Sequence, residues 1–258
     1  MTPSEYSPTQ FIKALGKIDN SKSNPEKFRD FCEMAYCAYA KITACDEERA
    51  NKLESRYMEI VGTYRDKDDV RKYPELLSFV VMGVQDGLDY LGDVSGQLEV
   101  LNARQGQFFT PMSVCRLMAE VTLDKDFIQE RIASNGYFTC YEPAAGSGNM
   151  VLCASDVPSN LGFNRNHHML TYAADLSQLA FWMCYIQLSA RGIPAFVARE
   201  NSLSMERFDG AWTPASLYFA DYHGHLDFNK PSKPKPEMED IPALPEPTPE
   251  KLRQLSMF

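Results

Sequence analysis

One stretch limits the fold of this chain more than any other. Tyr137-Phe138-Thr139-Cys140-Tyr141 reads as a short strand, and Glu142-Pro143-Ala144-Ala145-Gly146-Ser147-Gly148 follows it as a Gly-rich turn ahead of a helix. Glycines placed after a strand let the backbone approach a ligand closely, and the next helix N-terminus offers free N–H groups. A tight strand-to-helix turn with no ligand is the alternative for the glycines alone. A second strand candidate, residues 169–174, ends at Asp175-Leu176. An acid at the tip of the next strand, about one βαβ step later, suits a ribose diol.

The same alternation continues beyond Asp175. A helix over residues 177–191 stops at Gly192-Ile193-Pro194, and residues 195–198 read as a third strand. Leu217-Tyr218-Phe219-Ala220 reads as a fourth. Strands alternating with helices predict an α/β fold with a doubly wound, mainly parallel sheet.

The first hundred residues carry a different period. Asn24-Pro25-Glu26 predicts a helix start with Asn24 as N-cap, and Phe28, Phe31, Cys32, Ala35, Tyr36 and Tyr39 then recur at helical spacing. Cys45-Asp46-Glu47-Glu48 opens a second helix with Leu53, Tyr57, Ile60 and Val61 on one face, and a third apolar stretch runs over residues 76–91. The expected organisation is a helical N-terminal domain at 1–100, an α/β domain at 101–228 and a Pro-rich tail at 229–258. The tail holds Pro231, Pro234, Pro236, Pro242, Pro245, Pro247 and Pro249 with few large apolar groups, which predicts an extended, disordered segment.

Composition bounds the partners. Apolar and charged fractions of 44% and 24% are those of an ordinary globular protein. The net charge of −9 argues against a strong autonomous DNA binder, which ordinarily carries a basic face. The seven cysteines are scattered without a CxxC pair and read as reduced thiols of a cytosolic protein. The start Met1-Thr2-Pro3-Ser4-Glu5 lacks a signal-peptide pattern, and no apolar run approaches a membrane span, so a cytoplasmic protein without membrane contact is expected. His167-His168 has no Cys, Asp or Glu at ligand spacing and reads as a polar loop, so no metal site is expected.

Three motifs in order, Gly106-Gln107-Phe108-Phe109-Thr110-Pro111, then Glu142 to Gly148, then Ala174-Asp175-Leu176, are followed by Glu200-Asn201-Ser202-Leu203. Together with the lead-in Tyr90-Leu91-Gly92-Asp93, this set resembles the modification subunits of type I restriction systems and related adenine-N6 DNA methyltransferases, over roughly residues 85–210. The resemblance implies an S-adenosylmethionine-dependent methyltransferase fold, truncated at its far end. It implies that Gln107, Phe108, Thr110 and Pro111 line the methionine end of S-adenosylmethionine, and that Glu142, Ala144, Gly146, Ser147 and Gly148 form the loop beneath it. Asp175 would accept from the ribose hydroxyls, with Leu176 packed on the adenine. Asn201 and Ser202 stand where the family has Asp-Ser, and an amide carbonyl there could still accept from the adenine amino group.

The family's Asn-Pro-Pro-Tyr or Asn-Pro-Pro-Phe, which grips the flipped adenine, is absent from the sequence. Residues Phe208 to Ser216 stand in its place. Trp212 or Tyr218 could stack on a base and Asp209 or Asp221 could accept a hydrogen bond; the alternative is that Trp212 is a core aromatic. Gln254-Leu255-Ser256-Met257-Phe258 resembles the peptide by which bacterial proteins dock on the replication sliding clamp, with Gln254, Leu255, Met257 and Phe258 as anchors. About 25 residues of partly polyproline leash would reach roughly 75 Å. The alternative is an amphipathic tail packed on the domain.

Three functions follow from these features. The first is adenine-N6 methylation of DNA, completed by a partner subunit or by self-association, in modification or anti-restriction for a phage or plasmid. The second is a catalytically inactive binding protein recruited to the sliding clamp. The third is methyl transfer to another substrate, with a site rebuilt around Trp212-Thr213-Pro214.

Overall fold

The computed structural model describes residues 2–100 and 110–224. Six helices come first: α1 (Pro8–Gly16), α2 (Asn24–Ile42), α3 (Glu47–Gly62), α4 (Lys67–Val70), α5 (Tyr73–Gln85) and α6 (Tyr90–Gln97). Two more, α7 (Met112–Thr122) and α8 (Lys125–Asn135), lead into β1 (Phe138–Glu142). The order is then α9 (Asn149–Asn160), α10 (Arg165–His168), β2 (Met169–Asp175), α11 (Gln178–Arg191), β3 (Ala195–Asn201), β4 (Glu206–Trp212) and α12 (Ala215–His223). None of the described helices is long and apolar enough to cross a membrane.

Local chemistry places the helix ends. The cap of α2 is Ser23 and not the expected Asn24. The Ser23 hydroxyl accepts from the Glu26 N–H while the Glu26 carboxylate accepts from the Ser23 N–H at 2.8 Å, a reciprocal capping box. The cap of α3 is Asp46. The apolar stretch 76–91 is two helices, broken at Gly87 (φ +80°), and Asp89 caps the second by accepting from the Gly92 N–H. His167 and His168 lie in the short helix α10, where a loop was expected.

The aromatic stripe of α2 does what its spacing predicts. Phe11 meets Phe28, Phe31 and Tyr90 edge-on at 6.2, 5.2 and 6.1 Å, and all four side chains are buried. On the far side of α2, Tyr36 packs on Phe181 and Tyr185 of α11 at 4.9 and 5.0 Å. Helix α11 is buried continuously from Leu179 to Leu188, and one hydrophobic cluster extends from Phe11 to Val197. The helical region and the sheet therefore share a core.

The sheet has four strands in the order β1-β2-β3-β4. The first three are parallel, with Phe138 opposite Met169 and Thr171 opposite Ala195. Strand β4 is antiparallel to β3, pairing Trp212 with Phe196 and Glu206 with Asn201, with a bulge at Arg199/Glu200. Tyr141, Tyr172, Phe196 and Trp212 make an aromatic row across one face, with ring centroids 5.5, 5.6 and 5.2 Å apart. The opposite face, including Ala173 and Val197, joins the main core.

The fourth strand is not the one the sequence predicts. Residues 217–220 lie within α12, and residues 206–212 form the strand instead. The cause is the junction Thr213-Pro214. The Thr213 hydroxyl donates to the Ile193 carbonyl at 2.7 Å and accepts from the Ala195 N–H at 3.0 Å, and the Ser216 hydroxyl accepts from the same N–H at 3.1 Å. These bonds end β4 against the start of β3, and Pro214 then serves as N-cap of α12. Alternating charge and a glycine masked β4, yet Gly210 is what its register needs, since a Cβ there would meet the Phe196 ring at 2.7 Å.

Candidate functional site

The carboxyl ends of β1, β2 and β3 lie side by side, and the loops that leave them converge. After β1, Gly146 (φ +56°) and Gly148 (φ +100°) take left-handed conformations that β-carbons disfavour. At Gly148 a β-carbon would also approach the Cys184 sulfur at 3.2 Å, so the turn is pressed against α11. Helix α9 then starts without a side-chain cap, which leaves its first N–H groups facing the loop.

Asp175, the last residue of β2, holds this loop. One carboxylate oxygen accepts from the Gly146 N–H at 2.9 Å and the other from the Ser177 N–H at 2.8 Å. Each oxygen keeps a second lone pair, so the group can still accept from a vicinal diol. Burial raises the Asp175 pKa above the ordinary carboxylate value, partly offset by those backbone donors. Leu176 next to it is 55% exposed, an apolar side chain left at the edge of the site.

The segment after β3 and the first motif close the ring. The Ser202 hydroxyl, after β3, donates to the Pro143 carbonyl at 2.6 Å and so joins loops separated by β2. Asn201 caps its own turn, its Oδ1 accepting from Leu203 and Ser204 N–H groups at 3.1 and 3.3 Å. That carbonyl is thus already engaged by the backbone. Thr110 reaches the same place, its carbonyl accepting from Asn149 Nδ2 at 2.8 Å, and Pro111 caps α7. Glu142 accepts from the Ala144 N–H at 3.0 Å and orders the start of the loop. Gln107 and Phe108 lie outside the described residues, as do Gln254, Leu255, Met257 and Phe258.

Beneath the loop sits a polar network that sequence reasoning missed. Ser147, 1% exposed, donates its hydroxyl to Asp89 at 2.7 Å. Gln187 Nε2 donates to Asp89 at 2.8 Å and to the Ser147 carbonyl at 2.8 Å, and its Oε1 accepts from the Leu91 N–H at 3.0 Å. Burial raises the Asp89 pKa, opposed by the bonds from Gln187 and Ser147. The available signal was Gln187 itself, a single amide in the otherwise apolar run of α11. The network ties α6, α11 and the Gly-rich loop into one unit.

The suggested base-binding residues stand apart from this cluster. Asp209 pairs with Arg49 of α3 at 2.5 Å. Trp212 is 6% exposed, and its carbonyl accepts from Thr43 and Tyr185 hydroxyls at 2.6 and 2.9 Å. Asp209 and Trp212 do share a cavity of about 350 Å³ with Thr43, Arg49 and Phe196, but it lies at the outer edge of β4. Because β4 runs antiparallel, Trp212 lies opposite Phe196, five strand steps or about 16 Å from the carboxyl edge at Asn201. Tyr218 is 73% exposed on α12, which also carries Asp221. The junction that replaces the family tetrapeptide therefore sits at the opposite end of the sheet from the Gly-rich loop. Among the described residues no group of three or more His, Cys, Asp or Glu side chains could hold a metal ion. Cys32, Cys37, Cys115, Cys153 and Cys184 are buried free thiols, while Cys140 is half-buried and Cys45 exposed.

Comparison with known proteins agrees with the motif order. The model of the N-6 DNA methylase family matches residues 91–217. No curated protein sequence matches the chain. Among solved structures, a Listeria monocytogenes protein assigned as a class I S-adenosylmethionine-dependent methyltransferase is similar at 11% identity. The likeness covers 85% of this chain and 69% of that one with a TM-score of 0.32, too loose to carry a residue correspondence. The matched segment, just under half of the chain, contains the Gly-rich loop, Asp175 and the turn after β3.

Proposed function

We propose that this protein binds S-adenosylmethionine at the carboxyl edge of β1 to β3 and serves as the cofactor-holding part of an adenine-N6 DNA methyltransferase. The observation that carries the reading is the Gly146–Asp175 bond at 2.9 Å, which joins the glycine loop to the acid that would take the ribose. In this reading Gly146, Ser147 and Gly148 form the floor, Asp175 takes the ribose diol and Leu176 covers the adenine. Ser202 and Asn201 shape the rim, with Asn201 acting through its backbone turn. The α9 N-terminus and Thr110-Pro111 border the methionine end, with Gln107 and Phe108 completing it. When bound, the cofactor supplies an electrophilic methyl group, and the chain's own residues hold and orient it.

The sequence lacks the Asn-Pro-Pro-Tyr/Phe tetrapeptide, and the junction in its place lies at the other end of the sheet from this edge. DNA and its methylation thus belong to an assembly in which another element, from a partner subunit or from a second copy, faces the loop. The acidic balance of −9 accords with DNA being held mainly by that other element. A second reading is favoured by the position of Thr213-Pro214: a protein that binds the cofactor without transferring its methyl group, brought to replication forks by Gln254 to Phe258. Transfer of labelled methyl groups from S-adenosylmethionine to adenine-containing DNA separates the two. Transfer by the purified chain, or on adding a partner, that is lost in Asp175→Ala supports the first. Cofactor binding without transfer under both conditions supports the second.

A further inference from the structure

The side chains around the start of α9 do not cap it. Gly148 at the cap position has no side chain to offer, and the polar residues on either side of it turn elsewhere. The Ser147 hydroxyl donates to Asp89 at 2.7 Å. Asn149, 6% exposed, donates from Nδ2 to the Thr110 carbonyl at 2.8 Å. Asparagine is a poor helix former, so what this position gains is the bond and not the helix.

That bond crosses between two motifs. Thr110 belongs to the first, and Asn149 follows the Gly-rich loop 39 positions later. The partners fix the orientation of the amide: Nδ2 meets a carbonyl, which only accepts, and Oδ1 faces the Cys153 thiol at 3.8 Å. The Thr110 carbonyl also takes the Cys115 thiol at 3.6 Å. Pro111 comes next, and its carbonyl accepts from the Val114 and Cys115 N–H groups at 2.9 and 3.1 Å, which starts α7. One turn on, the Cys153 thiol meets the Met112 sulfur at 3.0 Å. Asn149 therefore fixes where the start of α7 stands against the loop.

We propose that Asn149 is a positioning residue: it clamps Thr110-Pro111 as the wall that meets the methionine end of S-adenosylmethionine, and so selects ligands that carry that end. The selection rests on the cofactor reading above; the clamp itself does not. Asn149 acts through Thr110 and touches no reacting atom. The adenosine end depends instead on Asp175, whose carboxylate bonds Gly146 and Ser177. Asn149→Asp keeps the shape of the side chain, removes the donor and sets an oxygen against the Thr110 carbonyl, so it opens the clamp without a change of volume.

Two ligands separate this role from general support of the fold. 5′-Methylthioadenosine carries the adenosine and sulfur of S-adenosylmethionine without the amino-acid end. In calorimetry on the full chain, Asn149→Ala and Asn149→Asp should bind S-adenosylmethionine about tenfold more weakly than the wild type and 5′-methylthioadenosine equally well, while Asp175→Ala should lose both. Unchanged affinity for S-adenosylmethionine, or equal weakening for both ligands, in the Asn149 variants would overturn the proposal and leave the cofactor reading standing. A wild type that binds neither ligand would overturn the cofactor reading and the selection with it. Amide hydrogen exchange without ligand tests the clamp alone. The Val114 and Cys115 amides should exchange at least about tenfold faster in Asn149→Asp, with the amides of β2 and β3 unchanged as the sign of a folded variant. Equal exchange of Val114 and Cys115 in wild type and variant would overturn the clamp.

Discussion

Replacing Asp89 with Ala tests whether the buried network fixes the cofactor loop. The carboxylate accepts from Ser147 Oγ at 2.7 Å, Gln187 Nε2 at 2.8 Å and the Gly92 N–H at 3.2 Å. Alanine leaves the first two donors buried without this acceptor, at about 1–3 kcal/mol for each unsatisfied group. It also removes the N-cap of α6, worth about 1 kcal/mol. Part of this is recovered, since a buried carboxylate is itself costly and the Asp89 pKa is raised. The expected net loss is about 3 kcal/mol in urea unfolding at neutral pH. Gln187 keeps its bond to the Ser147 carbonyl, so the loop should loosen without unfolding the molecule. In Asp89→Ala/Ser147→Ala, one stranded donor is gone, and the combined loss should fall short of the sum of the single losses by about 1 kcal/mol. A loss below about 0.5 kcal/mol for Asp89→Ala, or strict additivity in the double variant, would refute the network as an anchor.

Four further outcomes follow. Gly148→Ala forces a β-carbon into a φ of +100° and toward Cys184, so it should cost about 1–3 kcal/mol and abolish cofactor binding, read by thermal melting and calorimetry. Arg49→Ala and Asp209→Ala break a partly exposed pair; a double-mutant cycle should give a coupling of about 1 kcal/mol or less, and each variant should bind cofactor like the wild type. Stability should respond to acid in opposite senses at two sites. Burial gives Asp89 a folded pKa above 3.8, so the native state holds its proton more tightly and this contribution is lost as pH rises through that window. Asp19, held at about 2 by the Ser21 hydroxyl and by Ser21 and Arg65 N–H groups, contributes stability above pH 3.8 that is lost as pH falls toward 2. Asp89→Asn and Asp19→Asn should therefore shift acid unfolding curves in opposite directions. Deleting Gln254 to Phe258 should remove binding to a purified sliding clamp in a pull-down and leave cofactor affinity unchanged; unchanged clamp binding would refute the docking peptide.

The local geometry of the candidate site was more legible in the sequence than the position and direction of β4. The Gly-rich loop and Asp175 were readable because each is forced by local chemistry: positive φ demands glycine, and a strand tip positions an acid. The aromatic stripe of α2 was readable because a buried helix face repeats with its own period. Strand β4 was not, because its direction is decided by long-range bonds from Thr213 and Ser216 to residues 193 and 195, and no local pattern encodes those. Residues 217–220 misled because an aromatic, apolar run suits a strand or a helix equally, and Pro214 decided for the helix. Asp89 and Gln187 escaped because a buried polar pair 98 positions apart in the chain leaves no spacing signal.

The central claim is that the Gly-rich loop and Asp175 form a cofactor pocket. Isothermal titration of S-adenosylmethionine into the wild type, Asp175→Ala and Asp209→Ala tests it most directly. The account predicts saturable one-site binding by the wild type and Asp209→Ala, and its loss in Asp175→Ala. Binding retained in Asp175→Ala, or absent from a wild type shown by melting to be folded, would contradict it.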